Sequence, residues 1–385
     1  MVSAGWLFPE FIRDRRMIHL YRLRREKQVL TLAGVSYSSE HLEDLREKAQ
    51  TEESAFLMDL YVFLKEWWDE SPLIQVHTSG STGKPKDLWA RKEQMIHSAQ
   101  LTCEFLHLHE GDRALLCMPL RYIAGKMVVV RALVAGLDLI LRAPSGHPFA
   151  DPIGDLRFTA LIPLQVFNTL RVPEERKRLE ETEILIIGGG AIDADLETEI
   201  RSLPNRVYST YGMTETLSHI ALRRLNGAGA SPYYHPFPSV RLSLSEDDCL
   251  VIDAPLVCDR PLRTNDIARL LPDGGFQIVG RKDNTINTGG IKVQIEEVEA
   301  ALRPYFSFPY AISSVPDMKF GEIVVALVAT TDERILADAF EALPKFQRPR
   351  QIVSVEAIPQ TGSGKIDRAA CRKLACNIIK KTQSI

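Results

Sequence analysis

The stretch Thr78-Ser79-Gly80-Ser81-Thr82-Gly83-Lys84-Pro85-Lys86 combines two glycines, four hydroxyl side chains and two lysines within nine residues. Glycine lets the backbone adopt positive φ and approach a ligand closely. Successive backbone N–H groups can then form a concave anion site, to which the hydroxyls add donors and the lysines add positive charge. The stretch predicts a phosphate-binding loop; a mobile surface loop is the alternative.

This loop differs from a P-loop. A P-loop has the pattern Gly-x-x-x-x-Gly-Lys-[Ser/Thr] and begins a helix. Here Thr78 occupies the first glycine position and Pro85 follows Lys84. The P-loop interpretation is therefore excluded, and the support for phosphate binding must come from other segments of the chain.

Length and composition are those of an ordinary multidomain globular protein. The 385 residues allow two or more domains, and the chain is 45% hydrophobic and 25% charged. A net charge of −3, without a basic stripe carrying interleaved aromatics, gives no reason to expect nucleic acid. Charged residues interrupt the apolar run at 123–141, and the N-terminus is a poor signal peptide, so we expect no membrane association. The six cysteines form no Cys-x-x-Cys pair, which favours reduced thiols and a cytoplasmic location.

Alternating helical and strand patterns predict an α/β fold with layered sheets in a large N-terminal domain. Apolar residues at helical spacing indicate two helices between residues 39 and 70 and a third at 91–106. Short apolar or alternating runs predict strands at 73–77, 113–118, 138–141, 158–162, 183–187 and 206–209.

After residue 239 the pattern changes to hairpins. Residues 240–244 with 249–253, and 267–271 with 276–279, flank two short turns and predict a small β-rich subdomain. Beyond 283, a helix near 295–302, strands at 311–315, 323–328 and 352–355, and a last helix from about 369 predict an α+β module. The expected domains are a large one at 1–282, with the β-rich subdomain at about 239–282, and a small C-terminal one at 283–385.

Four segments together resemble the adenylate-forming superfamily, which includes acyl- and aryl-CoA synthetases, luciferases and peptide-synthetase adenylation domains. They are Thr78–Lys86, Tyr211–Glu215, Arg263–Asp266 with Gly280–Asp283, and Gln360–Lys365. One such motif is weak, but four in order over about residues 73–370 are specific. In this chemistry a carboxylate attacks the α-phosphate of ATP, so the site must neutralise and position two anions.

The resemblance implies a site for ATP and Mg²⁺. The loop would bind the β- and γ-phosphates and the leaving pyrophosphate through Thr78, Ser79, Gly80, Ser81, Thr82, Gly83 and Lys86. Thr214 would contact phosphate, and Glu215 would hold Mg²⁺, a cation that prefers carboxylate and phosphate oxygens. Taken alone, Glu215 is more often a solvated carboxylate at the start of a helix; within Tyr-Gly-Met-Thr-Glu the metal role is favoured.

The resemblance also implies a place for the nucleoside. The residues against the adenine would be Gly189, Gly190, Ala191, Tyr211, Gly212 and Met213, with Gly188 also lining the acyl group. A run of glycines after a strand is otherwise a simple turn into a helix. Asp266 and Arg281 would bind the ribose hydroxyls, although each alone is more often part of a surface ion pair.

Lys365 is the principal catalytic candidate. Its segment, Thr361–Lys365, contains two glycines that make a hairpin flexible enough to bring an ammonium group into a deep site. By resemblance, this lysine bridges the attacking carboxylate and the α-phosphate. The resemblance further implies that the C-terminal domain is mobile and rotates about Asp283, which brings Gly289-Gly290 to the thiol channel of coenzyme A. Lys292 would contact phosphate.

The chain departs from the family pattern at a few positions. Asn265 replaces a usual glycine, Asn284 a frequent second acid, and Asn287 a frequent lysine. None of these changes removes a group that the chemistry requires. The chain is also shorter at its N-terminus than full-length members, which puts the usual N-terminal subdomain in doubt.

The segment Leu115–Arg131 is similar to short o-succinylbenzoate–CoA ligases of menaquinone synthesis. That acid is a dicarboxylate, and its ring carboxylate must find a cation or several donors once it leaves water. Lys126, at the start of an apolar helix, is a candidate for this contact, with a lysine that extends its ammonium to solvent as the alternative. Ser218 is a second candidate, while Arg131 is expected to be solvated.

Three functions remain to be compared. The leading one is an AMP-forming acid–CoA ligase acting on o-succinylbenzoate. The second is another acyl- or aryl-CoA ligase, or an enzyme that loads an acid onto a separate carrier protein. The third is a catalytically silent nucleotide-binding scaffold, which would not require Lys365, Glu215, Asp266 and Arg281 together.

Overall fold

The computed structural model describes residues 21–77, 87–329, 333–360 and 366–383. These residues form two compact units. The first contains the described chain up to Arg241 together with Asp253–Pro261, and the second contains Leu242–Ile252 and the chain from Leu262 onward. The β-rich segment therefore groups with the C-terminal part of the chain. Such grouping does not locate a hinge, and the predicted domain boundary at Asp283 stays a prediction.

A mixed sheet forms the centre of the first unit. In chain order the strands of this unit are β1 Leu30–Leu32, β2 Val35–Tyr37, β3 Leu73–His77, β4 Asp87–Arg91, β5 Arg113–Leu116, β6 Asp138–Leu141, β7 Phe158–Leu161, β8 Ile184–Ile187, β9 Arg206–Gly212, β10 His219–Arg224 and β11 His235–Pro236. β3 and β4 form a separate hairpin, and the others follow the order β11-β10-β9-β8-β7-β5-β6-β1-β2. Within this order, the strands β9-β8-β7-β5-β6-β1 pair in parallel. The strands β10 and β11 at one edge and β2 at the other pair antiparallel.

Helices cover this sheet. They are α1 Leu42–Thr51, α2 Ala55–Trp68, α3 Lys92–Leu106, α4 Ile123–Ala135, α5 Pro163–Arg171, α6 Pro173–Glu180 and α7 Ala194–Ile200. The strands β7 and β8 are buried at every position, as expected for parallel strands covered on both faces. α4 is buried from Gly125 to Ala135 and ends at Gly136, whose φ of 71° forms a left-handed cap. A helix buried on all sides leaves its charged residues little access to water.

The second unit contains two sheets. The first is antiparallel and consists of β12 Arg241–Leu244, β13 Cys249–Asp253, β14 Leu262–Leu270 and β15 Phe276–Arg281. The second consists of β16 Thr285–Thr288, β17 Ile291–Gln294, β18 Tyr310–Asp317, β19 Gly321–Val328 and β20 Gln351–Ser354. Its helices are α8 Ile295–Leu302, α9 Glu333–Glu341 and α10 Arg368–Gln383.

Side chains alternate between two cores across the second sheet. Ile312, Val324 and Ala326 pack with residues of α8 and α9 on one face. Ala311, Val325 and Leu327 pack with residues of α10 on the other face. Because successive strand residues point to opposite faces, a sheet with helices on both sides has apolar residues at consecutive positions.

The structure confirms the α/β fold class and the predicted strands and helices, apart from shifts of a few residues at their ends. The cysteines are free thiols, and all except Cys376 are buried. Within the described ranges, no helix is long and apolar enough to cross a membrane.

Candidate active site

Two of the predicted motifs lie outside the described residues, but their flanking residues are described. The predicted site residues outside the described ranges are Thr78, Ser79, Gly80, Ser81, Thr82, Gly83, Lys86 and Lys365. His77 pairs with Asp87 at the end of the β3–β4 hairpin, so the two ends of the predicted phosphate loop are adjacent. Gln360 and Ile366 form an antiparallel bridge, so the chain also enters and leaves the segment of Lys365 at neighbouring positions.

The segment Gly188–Ala191 follows the carboxyl end of β8. The N–H of Gly188 donates to the carbonyl of Leu161 at 3.0 Å. A Cβ at position 188 would lie 2.5 Å from the hydroxyl oxygen of Thr210, and Gly189 has a φ of 78°. Both positions therefore require glycine, which leaves bare backbone at the edge of the sheet.

The segment Tyr211–Glu215 begins with the last two residues of β9, the parallel neighbour of β8, and continues beyond its carboxyl end. Ligands of open α/β sheets bind in the crevice outside such strand ends. The Tyr211 ring lies 5.8 Å from that of Tyr234, at an interplanar angle of 56°. A Cβ at Gly212 would lie only 2.2 Å from the carbonyl oxygen of Ser218, so this position also requires glycine. The structure thus brings the predicted adenine-binding segments to one edge of one sheet.

A single 3-10 turn, Thr214–Thr216, connects β9 to β10. The buried Thr216 hydroxyl lies 3.0 Å from the carbonyl oxygen of Met213 and 2.8 Å from that of Ser218, which share its single proton, and its oxygen accepts from the N–H of Met213 at 3.0 Å. Glu215 is exposed, and its carboxylate makes no ion pair with a described residue. This turn holds a free carboxylate at the sheet edge, where a metal ion bound to phosphate could use it.

Ser218 contacts a buried arginine. The Arg131 Nη2 donates to the Ser218 Oγ at 2.7 Å, and Arg131 is only 2% exposed. The expectation that Arg131 is solvated was wrong, because α4 is covered on all sides. Burial lowers the pKa of Arg131 to about 10, and its Nε atom has no hydrogen-bond partner in the described part of the chain.

The polar contacts continue from Ser218 to His219 and Thr102. The Ser218 Oγ lies 3.3 Å from His219 Nδ1, and the Nε2 of this histidine lies 3.0 Å from the Thr102 Oγ1. Burial, and then the positive charge of Arg131, hold the pKa of His219 well below its usual value. The histidine is therefore neutral at physiological pH.

Lys126 is buried as well, but it faces a different part of the unit. Its Nζ lies over the ring of Phe63 on α2, 5.1 Å from the centroid. Burial lowers the pKa of Lys126, and the nearby carboxylate of Glu66 partly opposes this shift. Lys126 and Arg131 are five residues apart on α4, so their side chains leave the helix about 140° apart.

The predicted ribose pair forms a direct contact in the second unit. Asp266 and Arg281 are opposite each other on β14 and β15, and Arg281 Nη1 donates to the Asp266 Oδ1 at 3.1 Å. The Nη2 of the same arginine donates to the Asp283 Oδ2 at 3.1 Å. Asp283, the predicted hinge, thus shares the guanidinium with the predicted ribose ligand.

Gly289 and Gly290 form the two-residue turn between β16 and β17. Their φ values are 60° and 83°, which are typical of a type I′ hairpin. The Gly289 N–H donates to the carbonyl of Phe320 at 2.8 Å. The guanidinium of Arg350 lies over the ring of Phe320, 4.0 Å from its centroid. Lys292 is exposed on β17, opposite Asn287. The turn therefore lies beside an exposed cation stacked on an aromatic ring.

A family model of AMP-binding enzymes matches residues 15–254, which is more than half of the chain. The chain belongs to the AMP-binding enzyme family. It is 26% identical over 368 residues to a 2-succinylbenzoate–CoA ligase of Listeria monocytogenes, and the match covers 87% of this chain and 74% of that protein. The recognition made from the four motifs is thereby confirmed.

Solved structures agree with this assignment. An acyl-CoA synthetase (AMP-forming)/AMP-acid ligase II-like protein from Dyadobacter fermentans is 30% identical, with a TM-score of 0.59, over 83% of this chain and 94% of that one. An O-succinylbenzoate coenzyme A synthetase from Bacillus subtilis, in complex with ATP and magnesium ion, is 22% identical. It has a TM-score of 0.62 over 77% of this chain and 68% of that one, and supports the fold.

In this AMP-binding enzyme, the motifs identified the segments at the sheet edge but not the buried residues behind them. Arg131, His219 and Thr102 were absent from the predicted site. The signal for Arg131 was available in the sequence, because an arginine within a helix that is apolar all round has little access to solvent. The pairing of Thr102 with His219 had no such signal, since these residues are far apart in the chain.

Proposed function

We propose that the enzyme is an ATP-dependent acid–CoA ligase that acts on o-succinylbenzoate in menaquinone biosynthesis. It would convert o-succinylbenzoate, ATP and coenzyme A to o-succinylbenzoyl-CoA, AMP and pyrophosphate through an acyl-adenylate. The family membership, the four motifs in order and the relationship to 2-succinylbenzoate–CoA ligases support this reaction.

The buried guanidinium of Arg131 is the observation that carries the choice of acid. No carboxylate among the described residues pairs with it, although it lies beside Ser218, three residues after Glu215. An unpaired buried charge is costly, and a bound anion offsets that cost. The ring carboxylate of o-succinylbenzoate is such an anion, whereas a fatty acid has no second carboxylate to offer.

The first half-reaction would take place at the edge formed by β8, β9 and the turn that follows. The bare backbone of Gly188–Ala191 and the ring of Tyr211 would enclose the adenine, and Asp266 with Arg281 would bind the ribose hydroxyls. Thr214 and the loop Thr78–Lys86 would donate to the phosphates. Lys365 would lie between the attacking carboxylate and the α-phosphate, where its charge is most effective in the transition state.

Mg²⁺ fits the carboxylate of Glu215. This ion commonly uses one or two protein carboxylates and completes its coordination with phosphate oxygens and water. Glu215 is exposed and unpaired among the described residues, and these residues contain no cluster of three or more metal-ligating side chains. The ion would supply positive charge to the phosphates of ATP.

The second half-reaction would use the second unit. The hairpin at Gly289-Gly290 has no side chains to obstruct a thiol arm. Exposed cations near it, Lys319 and Arg350, flank the Phe320 ring, a combination suited to the phosphates and adenine of coenzyme A. Lys292 adds a further cation. Asp283 would be the hinge that exchanges Lys365 for this hairpin between the two steps.

A substrate panel tests the proposal. We expect pyrophosphate release in the presence of Mg²⁺ and o-succinylbenzoate without coenzyme A, and the thioester when coenzyme A is added. The matched control acid is 3-benzoylpropionate, which lacks only the ring carboxylate. Preference for 3-benzoylpropionate or for a fatty acid would indicate another acyl- or aryl-CoA ligase. Release of pyrophosphate without thioester would indicate a carrier-loading enzyme, and inactivity with every acid would indicate a scaffold.

A further inference from the structure

Hydrogen bonds connect Arg131, Ser218, His219 and Thr102 in series. The contacts of Thr102 indicate which atom donates in each of them. Its hydroxyl lies 3.1 Å from the carbonyl of Ser98, one turn earlier on α3. A carbonyl oxygen can only accept, so the single hydroxyl proton of Thr102 is used there. With that proton donated to Ser98, the Thr102 oxygen accepts from His219, which places a proton on Nε2 of the imidazole.

A neutral imidazole carries one proton, so Nδ1 of His219 is an acceptor. The Ser218 hydroxyl, 3.3 Å away, then donates to Nδ1. The oxygen of the same hydroxyl accepts from Arg131 at 2.7 Å. The proton donations thus run in one direction, from Arg131 through Ser218, His219 and Thr102 to the carbonyl of Ser98.

We infer that His219 is a positioning residue for Arg131. His219 takes the only proton of Ser218, which leaves the Ser218 oxygen as a fixed acceptor for one nitrogen of the guanidinium. Ser218 has no proton to offer the substrate and acts through Arg131. This inference rests on the proposed function, because the positioned guanidinium is the group assigned to the second carboxylate.

The backbone holds Ser218 in place for this contact. Leu217 has φ 64° and ψ −36°, and the Ser218 N–H donates to the carbonyl of Thr216 at 2.7 Å. This is a γ-turn with positive φ, which is rare and strained for a residue with a side chain. Backbone strain of this kind persists where the surroundings fix the conformation. Here the side chain of Leu217 is buried, and Thr216 bonds to the carbonyl of Ser218 at 2.8 Å.

Two substitutions of the same histidine separate positioning from packing. In His219→Asn, the amide oxygen can replace Nδ1 as the acceptor for Ser218. In His219→Gln, the amide nitrogen can replace Nε2 as the donor to Thr102, but no acceptor for Ser218 remains at the position of Nδ1. We expect His219→Gln to raise the KM for o-succinylbenzoate about tenfold, as for the loss of one hydrogen bond to a charged group, with a smaller change in kcat. His219→Asn should recover most of this loss.

The control acid completes the kinetic test. The preference for o-succinylbenzoate over 3-benzoylpropionate, as a ratio of kcat/KM, should fall in His219→Gln and recover in His219→Asn. Ser218→Ala combined with His219→Gln should be no worse than Ser218→Ala alone, because both changes break the same path. Equal losses for both acids, or equal losses in the Asn and Gln variants, would overturn the inference.

A tautomer measurement tests the same inference without activity. In protein labelled with ¹⁵N-histidine, long-range ¹H–¹⁵N spectra distinguish Nε2–H from Nδ1–H, and His219→Asn assigns the signal. We expect a neutral Nε2–H tautomer that persists below the ordinary histidine pKa, because burial and the charge of Arg131 lower the pKa of His219. An Nδ1–H tautomer or an imidazolium would refute the inference, whatever the substrate. Inactivity of the wild type with o-succinylbenzoate would instead refute the proposed function.

Discussion

Two arginines near strand β10 have opposite environments. Arg223, close to the end of the strand, donates to both carboxylate oxygens of Glu197 on α7, at 3.0 and 2.7 Å. Burial opposes its charge, but the hydrogen bond and charge of Glu197 raise the pKa of Arg223. Arg131, near the beginning of the strand, is more deeply buried and has Ser218 where Arg223 has a carboxylate.

The presence or absence of a counterion distinguishes a structural arginine from one that can bind a substrate. Both guanidiniums have an Nε without a partner in the described part of the chain, so an unpaired Nε does not distinguish them. The counterion does. An arginine with a carboxylate of its own unit is already neutralised, and one without it can bind the anion of a substrate.

The comparison assumes that an acid is adenylated beside Arg131, and Lys365→Ala tests that assumption. We expect acyl-adenylate formation to fall by on the order of 10³-fold, because a charge that acts mainly in the transition state is lost. Thioester formation from supplied acyl-adenylate should remain largely intact. The two half-reactions are measured separately, with the exposed Lys373→Ala as the matched control. Equal loss in both halves would contradict the two-conformation scheme.

Arg131→Met should lower kcat/KM for o-succinylbenzoate by about 100-fold, since the ring carboxylate would lose its buried partner. The melting temperature should not fall, because the variant also removes an unpaired buried charge. Steady-state kinetics with the two matched acids and thermal unfolding measure both effects. A variant that prefers o-succinylbenzoate as strongly as the wild type does would remove Arg131 from the acid site.

Arg223→Met should show the reverse pattern. We expect the free energy of unfolding to fall by about 3 kcal/mol, because Glu197 would be left without its main partner. The preference between the two acids should persist. Denaturant unfolding measures the loss, and the double variant Glu197→Leu with Arg223→Met should recover part of it. A single variant as stable as the wild type would show that this ion pair is not structural.

Lys126→Met tests the other buried cation of α4. We expect a fall of about threefold or less in the preference for o-succinylbenzoate, because Lys126 faces Phe63 rather than Ser218 and its contact resembles a modest cation–π pair. The same two acids provide the measurement. A loss as large as that of Arg131→Met would assign the ring carboxylate to Lys126, the candidate taken from the sequence.

The smallest effect is a pH dependence of stability. Burial opposes ionisation of Glu197, but hydrogen bonds and charge from Arg223 and Arg201 outweigh it and lower the pKa of the carboxyl. A lowered pKa in the folded state contributes stability above the unfolded pKa, and this contribution is lost as pH falls through the folded value. Arg223→Met removes the main group that lowers this pKa, so between pH 7 and pH 4 the wild type should lose more stability than Arg223→Met. Parallel pH profiles would show that the pair does not couple to protonation.

The sequence predicted the fold, which is confirmed, and the segments of the candidate site through features that are local. Glycines at 188, 189 and 212 are needed because a Cβ would meet a neighbour or φ is positive, and such positions are visible as motifs. The α/β class followed from apolar runs such as Ile184–Ile187, which are buried at every position. Local features could not show which cation of α4 lies beside Ser218.

The four motifs, read along the chain, determined that this protein is an AMP-binding enzyme and predicted which loops carry its chemistry, because backbone geometry and donor content are properties of short segments. The tertiary structure decided the environment of Arg131, the residue proposed to bind the second carboxylate of the acid. The contacts of Arg131, and of His219 with Thr102 on another helix, depend on elements far apart in sequence. The physical reason is that burial and counterions are set by neighbours in space, and the same arginine is a surface residue, a structural ion pair or an anion site according to them.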